Sequence, residues 1–312
     1  MVKKINVLIT GSGGFVFGNF IRQAFYSKKP YNISSIDMVR ESHIIHNIYV
    51  NSDHQFYIAD IKDPHILHVI FQKERPDIVI HGAAESVGNA LPANNVVGTQ
   101  NVIEECLKLG SDLIYISTNE VYAPLDQNQN AWTEDGPLDP KNLYSATKAA
   151  GELLVKAVAS SHGLKYSIVR PSSCYGPWQT KDKLIPSIIS SILNRRDISI
   201  RGTGQQMTDW LHVFDLCKAI FQIIDTGVDN NIYNVTANQE FMSLEVAQIV
   251  CNILGEGHDL IKHVESDPKY DFRFAMTNDK IKSLGWEPEF KFRGGIKEVC
   301  QWYITNKYVL DL

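Results

Sequence analysis

The chain has 312 residues, with 30 Lys and Arg against 35 Asp and Glu and a formal charge of −5 at pH 7. Its 44% apolar and 21% charged residues can bury a core, which excludes a disordered chain, and its mild acidity excludes the basic balance of a dedicated nucleic-acid binder. Five scattered cysteines without a C-x-x-C pair exclude a disulfide framework or a zinc cluster, and no apolar run approaches the ~20 residues of a membrane span, so a cytoplasmic protein of about two lobes is expected.

In chain order, residues 6–10 form an apolar run that predicts a buried strand. A glycine turn (Gly11, Gly13, Gly14) and an apolar-periodic helix over 15–26 follow. The next strands fall over 33–36, ending at Asp37, and over 55–59. Asp63 and Pro64 then supply an N-cap and a first-turn proline for a helix to Glu74. Further strands are predicted over 77–81, 112–117 and 165–170, with helices over 95–109 and 144–160. Strands alternating with helices pair in parallel through right-handed crossovers, so the fold class is α/β, a Rossmann-type doubly wound parallel sheet.

After residue 171 the regularity breaks. Strand signals over 198–201, 209–213, 232–235 and 260–264 mix with helices over 184–193, 216–224 and 244–254. The expectation is a dinucleotide-binding domain over 1–171, to which some later segments return, and a smaller α/β substrate lobe over 172–312. Residues 119–139, rich in Asn, Asp, Gln and Pro, read as one long loop, and such loops in compact domains are commonly functional.

The strand–glycine–helix order at Gly11 to Gly14 suits a pyrophosphate, because glycines let the backbone approach it at a helix N-terminus. Asp37 closes the next strand, where a carboxylate accepts from ribose hydroxyls and repels a 2′-phosphate. That favours NAD over NADP, although Arg40 nearby leaves room for NADP. A second constellation, Tyr144-Ser145-Ala146-Thr147-Lys148, puts a phenol and an ammonium one helical turn apart. A neighbouring cation stabilises a phenolate, so the tyrosine is expected to titrate nearer working pH and to serve as a base.

At the end of the strand over 112–117, Thr118 can bond a substrate hydroxyl and Glu120 can abstract a proton. Each motif alone also has a plain reading as turn, cap or exposed helix pair; their joint occurrence carries the argument. His43 and His46 share a helical spacing without a third ligand, and His212 reads as a strand residue, so no metal site is expected.

These motifs are joined, in order, by Ala83-Ala84-Glu85-Ser86, Asn95-Val96-Val97-Gly98-Thr99, Tyr175-Gly176-Pro177, Lys183-Leu184-Ile185-Pro186, Asp209-Trp210-Leu211 and Leu284-Gly285-Trp286-Glu287-Pro288. Along nearly its whole length the chain thus resembles the extended short-chain dehydrogenase/reductases of the nucleotide-sugar epimerase/dehydratase branch, and within it the dTDP-glucose 4,6-dehydratases.

The resemblance implies NAD as cofactor, a nucleoside-diphosphate hexose as substrate and a homodimer. It implies cofactor contacts at Gly11, Gly14, Phe15, Val16, Asp37, Asp60, Ile61, Ala83, Tyr144 and Lys148. Substrate contacts are implied at Glu85, Ser86, Thr118, Ser173, Lys183, Leu184, Arg201 and Arg273, with Arg273 the phosphate candidate. It further implies a cycle in which Tyr144, helped by Lys148 and Thr118, takes the C4 hydroxyl proton while hydride passes to NAD⁺. Glu120 removes the C5 proton, the preceding residue protonates the departing C6 hydroxyl, and hydride returns to C6.

Here that preceding residue is Asn119, whose amide is no acid. The alternative is an enzyme that stops at C4, an epimerase or C4 dehydrogenase; a third reading is a nucleotide-binding regulator without turnover. Cys174 and Thr208 stand where the family has Asn and Arg, and Arg201 where a Tyr often flanks the base. Phe17 replaces the third fingerprint glycine, implying a locally adjusted helix. The implied dimer uses helices over 95–109 and 144–160, with Leu153, Leu154, Ala157 and Val158 available either to that seam or to the core.

Overall fold

The computed structural model describes residues 4–38, 54–88, 91–265 and 273–311. Arg40, His43 and His46 lie outside them. The chain divides into two units, one of residues 1–123, 136–170 and 217–233, the other of 124–135, 171–216 and 234–312. Beside the expected division at residue 171, the chain passes between these units at five places, one of them after residue 170. Residues 124–135 belong to the second unit, and 217–233 are the later segment that returns to the first.

In the first unit, β1 (Ile5–Thr10), β2 (Tyr31–Asp37), β3 (His54–Ile58), β4 (Ile78–His81), β5 (Asp112–Ile116) and β6 (Tyr166–Pro171) pair in parallel. Their order is β6-β5-β4-β1-β2-β3, and the strand Asn231–Val235 extends the β6 edge. A parallel sheet covered on both faces needs apolar residues in both directions, which is why Val7, Leu8 and Ile9 run consecutively and are all buried. The crossover helices are α1 (Phe15–Tyr26), α2 (Pro64–Glu74), α3 (Gly98–Leu109) and α4 (Leu143–His162). Asp63 caps α2 by accepting from the His65 and Ile66 N–H groups at 2.9 and 3.2 Å. A wide turn over Ala93–Val97 leads into α3. The core between sheet and helices gathers Leu8, Val79, Leu113 and Ile168 with Phe71, Val102 and Val155.

The expectation at Phe17 needs correction. α1 runs without a break from Phe15 to Tyr26, and the adjustment lies in its neighbour. The Phe17 ring, 4% exposed, occupies the space beside Gly82, where an added Cβ would lie 1.8 Å from the ring. The side chain missing at residue 82 makes the room that a glycine at residue 17 would otherwise make.

The second unit has its own core of Ile185, Ile189, Ile198, Trp210, Val246 and Phe292. Strand Met207–His212 pairs with Ser173–Tyr175, Glu240–Met242 and Arg273–Phe274. The stretch expected as one loop over 119–139 is more ordered than its composition suggests. Asn119–Val121 makes a helical turn, Leu125 exchanges backbone bonds with Arg273, and Trp132 does so with Ala275 and Thr277. Polar composition reports exposure to water and says nothing of a backbone partner far along the chain.

Gly82→Ala should lower the free energy of unfolding by about 1–3 kcal/mol through overpacking against Phe17. Combined with Phe17→Ala the two losses should be non-additive. Urea unfolding of the four proteins measures this; independent effects would refute the pairing.

Candidate active site

Gly11 sits at φ +80°, and an added Cβ would approach the Ala83 nitrogen to 2.7 Å and the Gly82 carbonyl carbon to 2.9 Å. Both the conformation and the backbone contact demand glycine there. Gly14 stands at the N-cap of α1 with no side-chain cap, and Phe15 and Val16, both half-buried, open the helix. First-turn N–H groups are thereby left for an anion. Asp37 accepts from the Gly13 N–H at 2.7 Å, so the carboxylate of β2 does stand at the glycine turn. Burial holds its carboxyl above the usual range, against the opposing pull of the Gly13 and Met38 N–H groups. Asp60 binds the Lys62 N–H at 2.9 Å, and Ile61 is buried against Gly98.

The structure adds residues that the sequence reading missed. Ser12 is 1% exposed, and its hydroxyl has no hydrogen-bond partner among the described residues; neither has either polar atom of the buried Asn94 side chain. Buried polar atoms are nearly always bonded in folded chains, and a bound ligand is one partner that can satisfy these. Thr10, His81 and Thr99 form a chain, Oγ1 to Nδ1 at 2.7 Å and Nε2 to Oγ1 at 2.9 Å. Burial pushes His81 down to about 3, so the ring is neutral. Thr99 donates to the Asn95 carbonyl at 2.6 Å, so it accepts from His81 Nε2–H, and Nδ1 accepts from Thr10. Thr10 in turn accepts from the Ala83 N–H at 3.2 Å. Asn95 then ties both backbone groups of Glu85 to Thr147 on α4, at 2.8–2.9 Å. Ser86, next in chain, is exposed.

On α4, Tyr144, Lys148 and Glu152 recur at one-turn spacing. Lys148 is 3% exposed, and its Nζ lies 4.4 Å from the centroid of the Tyr115 ring. That ring fits because residue 151 is glycine; a Cβ there would meet the Tyr115 hydroxyl. Glu152 is shut from water and accepts from Ser117 Oγ at 2.5 Å and from Arg170 Nε and Nη2 at 2.9 and 2.6 Å. Thr118, next to Ser117, starts the turn that carries Asn119 and Glu120 and accepts from the Glu120 N–H at 3.2 Å. Glu120 receives a bond from Asn142, the residue that caps α4, at 2.9 Å.

The expected lowering of the Tyr144 phenol is not found in the chain alone. Burial, and then the charge of Glu120, push it up to about 12, while burial pulls Lys148 down to about 7 against the opposing field of Glu152. Desolvation outweighs the helical spacing, and the Lys148 ammonium rests on the face of Tyr115. Glu120 thus lies near enough for its charge to be felt at Tyr144.

The second unit holds the remaining candidates separately. Ser173 Oγ meets Thr208 Oγ1 at 3.3 Å, and Cys174 Sγ bonds the Ser172 carbonyl at 3.4 Å. Lys183 stands just before the helix Leu184–Leu193 without a side-chain cap and pairs with Asp182 at 2.9 Å; Arg201 is exposed. Arg273 borders a cavity of about 300 Å³ with Leu125, Asp126, Gln205 and Met207. Its fork, expected to take a phosphate, already holds Glu240 at 2.6 and 2.8 Å, with the third nitrogen on the Gln129 carbonyl at 2.6 Å. His212 is buried in its strand, stacked on Phe290. Among the described residues no helix is long and apolar enough to cross a membrane.

A doubly wound parallel sheet, a glycine turn with a carboxylate at the end of the next strand, and a Tyr-x-x-x-Lys helix beside a Thr–Asn–Glu turn define a short-chain dehydrogenase/reductase. Residues 7–236 match the NAD dependent epimerase/dehydratase family, and the chain belongs to it. It is 32% identical to a dTDP-glucose 4,6-dehydratase of Haemophilus influenzae, over 97% of this chain and 98% of that protein. The crystal structure of dTDP-glucose 4,6-dehydratase from Bacillus anthracis in complex with NAD superposes with a TM-score of 0.93 at 30% identity, covering 98% of this chain and 99% of that one. A UDP-glucose 4-epimerase from Thermotoga maritima shares the fold, with a TM-score of 0.89 at 22% identity over 97% of this chain and 100% of that one.

The buried Lys148 makes stability depend on pH. It releases its proton at about 7 in the folded chain against 10.5 ordinarily, so unfolding takes up a proton between those values. The folded state is penalised at neutral pH and below, and the penalty fades as pH rises toward about 10. Lys148→Met should therefore stabilise the ligand-free protein at neutral pH, with the gain vanishing near pH ~10. Urea midpoints at the two pH values test this; a gain independent of pH would refute it.

Proposed function

We propose that this chain is an NAD-dependent nucleotide-sugar enzyme that oxidises C4 of a nucleoside-diphosphate hexose and then eliminates water across C5 and C6, giving a 4-keto-6-deoxy sugar. The observation that carries the reading is Glu120, a second base held beside Tyr144. Oxidation or epimerisation at C4 needs one base; removal of the C5 proton needs another. Relatedness over nearly the full chain to dTDP-glucose 4,6-dehydratases supports it.

The first unit fits a dinucleotide. The cradle at Gly11, the unpartnered Ser12 hydroxyl and the Asp37 carboxylate would hold its pyrophosphate and ribose. When bound, NAD⁺ supplies the hydride acceptor for C4 and the hydride that returns to C6. Thr118 would bond the C4 hydroxyl, Tyr144 would take its proton, and the Lys148 ammonium one turn on would stabilise the phenolate. The resulting ketone acidifies C5–H, which Glu120 removes. Asn119 can orient the C6 hydroxyl but has no proton to give, so the departing hydroxyl takes the proton that Glu120 has just gained and leaves as water; when hydride returns to C6, C5 takes a solvent proton relayed by Glu120. Asn119 is also what favours the second reading, an enzyme that stops at C4.

We assign Arg273 to the nucleotide side only in its ion pair with Glu240, since that pairing occupies the fork. A homodimer through α3 and α4 accords with Leu153, which points outward, whereas Leu154 and Val158 pack into the core. The five cysteines, which form no disulfide with one another, accord with the cytoplasm.

Incubation with dTDP-, UDP-, GDP- and CDP-hexoses should yield a product lighter by one water. Inverted C4 at unchanged mass, or loss of two hydrogens, would overturn dehydration. Tyr144→Phe should lower turnover by at least ~100-fold with bound NAD retained. Glu120→Gln should keep C4 oxidation but stop exchange of the C5 hydrogen with deuterated solvent; persistent exchange would remove Glu120 from the role.

A further inference from the structure

Asn142 uses both ends of its side-chain amide. Its Oδ1 accepts from the Ser145 N–H at 2.8 Å and caps α4, two residues before Tyr144. Its Nδ2 donates to Glu120 Oε2 at 2.9 Å. A cap requires only an acceptor, which Ser, Thr or Asp would supply as well; an amide alone offers an acceptor and a donor together. Backbone pairing delivers Asn142 to this place. Tyr122 bridges to Leu138, and the Asp139 N–H bonds the Val121 carbonyl at 2.9 Å, so the segment before the cap runs along the turn that carries Glu120. The titratable groups in the first three turns of the helix are Tyr144, Lys148 and Glu152, and the segment before the cap carries Asp139 and Lys141, which pair with each other at 2.7 Å.

We propose that Asn142 is a positioning residue for the elimination step: it anchors one carboxylate oxygen of Glu120 to the start of the helix that carries Tyr144. The other oxygen is left to meet C5, and the two bases keep a set spacing. The inference rests on the function proposed above. A glutamate has three rotatable bonds, and a charge-assisted bond to a capped helix end removes most of that freedom before substrate arrives.

Asn142→Ser and Asn142→Asp both retain a cap acceptor, so both should keep a near-native thermal midpoint. In Asn142→Ser, C4 oxidation, read from absorbance of the reduced nicotinamide, should proceed at the native rate with KM unchanged. Exchange at C5 should slow about tenfold, the worth of a bond to a charged group. Asn142→Asp, which sets carboxylate against carboxylate, should slow exchange further. Equal loss of both steps, or a loss that tracks the thermal midpoint, would show a cap and nothing more.

Nitrogen-labelled full-length protein gives a readout independent of turnover. The side-chain amide signals of Asn142 should move in Glu120→Gln, and unmoved signals overturn the inference. If the native enzyme processes no nucleoside-diphosphate hexose, the proposed function fails while this spectrum still decides the contact.

Discussion

A buried ion pair with every strong acceptor position engaged is the constraint on which the catalytic half of this molecule depends. Glu152 and Arg170 are 0% and 1% exposed, and a pair so far from water is tolerable only if its geometry is saturated. Two guanidinium nitrogens and the Ser117 hydroxyl saturate the carboxylate, and Tyr122 receives the remaining arm of Arg170. Three elements meet in this knot: the end of β5, the end of β6 and the middle of α4. Thr118 and Glu120 follow directly from the first, and Lys148 and Tyr144 precede Glu152 by one and two turns. A rigid support so close to the reacting groups is what a catalytic geometry with small tolerance needs.

Burial, and not proximity, sets the charge states around that knot. The Lys148 ammonium is held in an almost dry place by the field of Glu152 and the face of Tyr115, yet loses ground to desolvation. Tyr144 is likewise kept protonated in the chain alone. His81, equally buried, escapes the conflict by being neutral and spans two threonines with a defined tautomer. The site thus separates groups whose charge is costly, clustered at α4, from a neutral polar chain that joins β1, β4 and α3.

Departures from the usual family pattern are absorbed locally. Phe17 is accommodated by the absence of a side chain at Gly82, so the substituted residue keeps a well-packed environment without a change of fold. Arg273, which keeps the family arginine, is held by Glu240 and the Gln129 carbonyl.

Much of this was legible from residue order. Apolar runs bounded by glycine, aspartate and proline located the strands and helices of the first unit to within a few residues. The glycine turn, Asp37, and the Tyr144–Lys148 spacing named the chemistry, because they depend on local geometry that adjacent residues impose. What residue order left undecided lies in contacts across long separations. Thr10 and His81 are 71 residues apart, Asn95 and Thr147 are 52, and Glu120 and Asn142 are 22. The loop over 119–139 was misjudged for the same reason, since its ordering comes from strands more than a hundred positions later. Titration was misjudged too: one helical turn brings an ammonium near a phenol, but only the folded chain determines how much water remains around them.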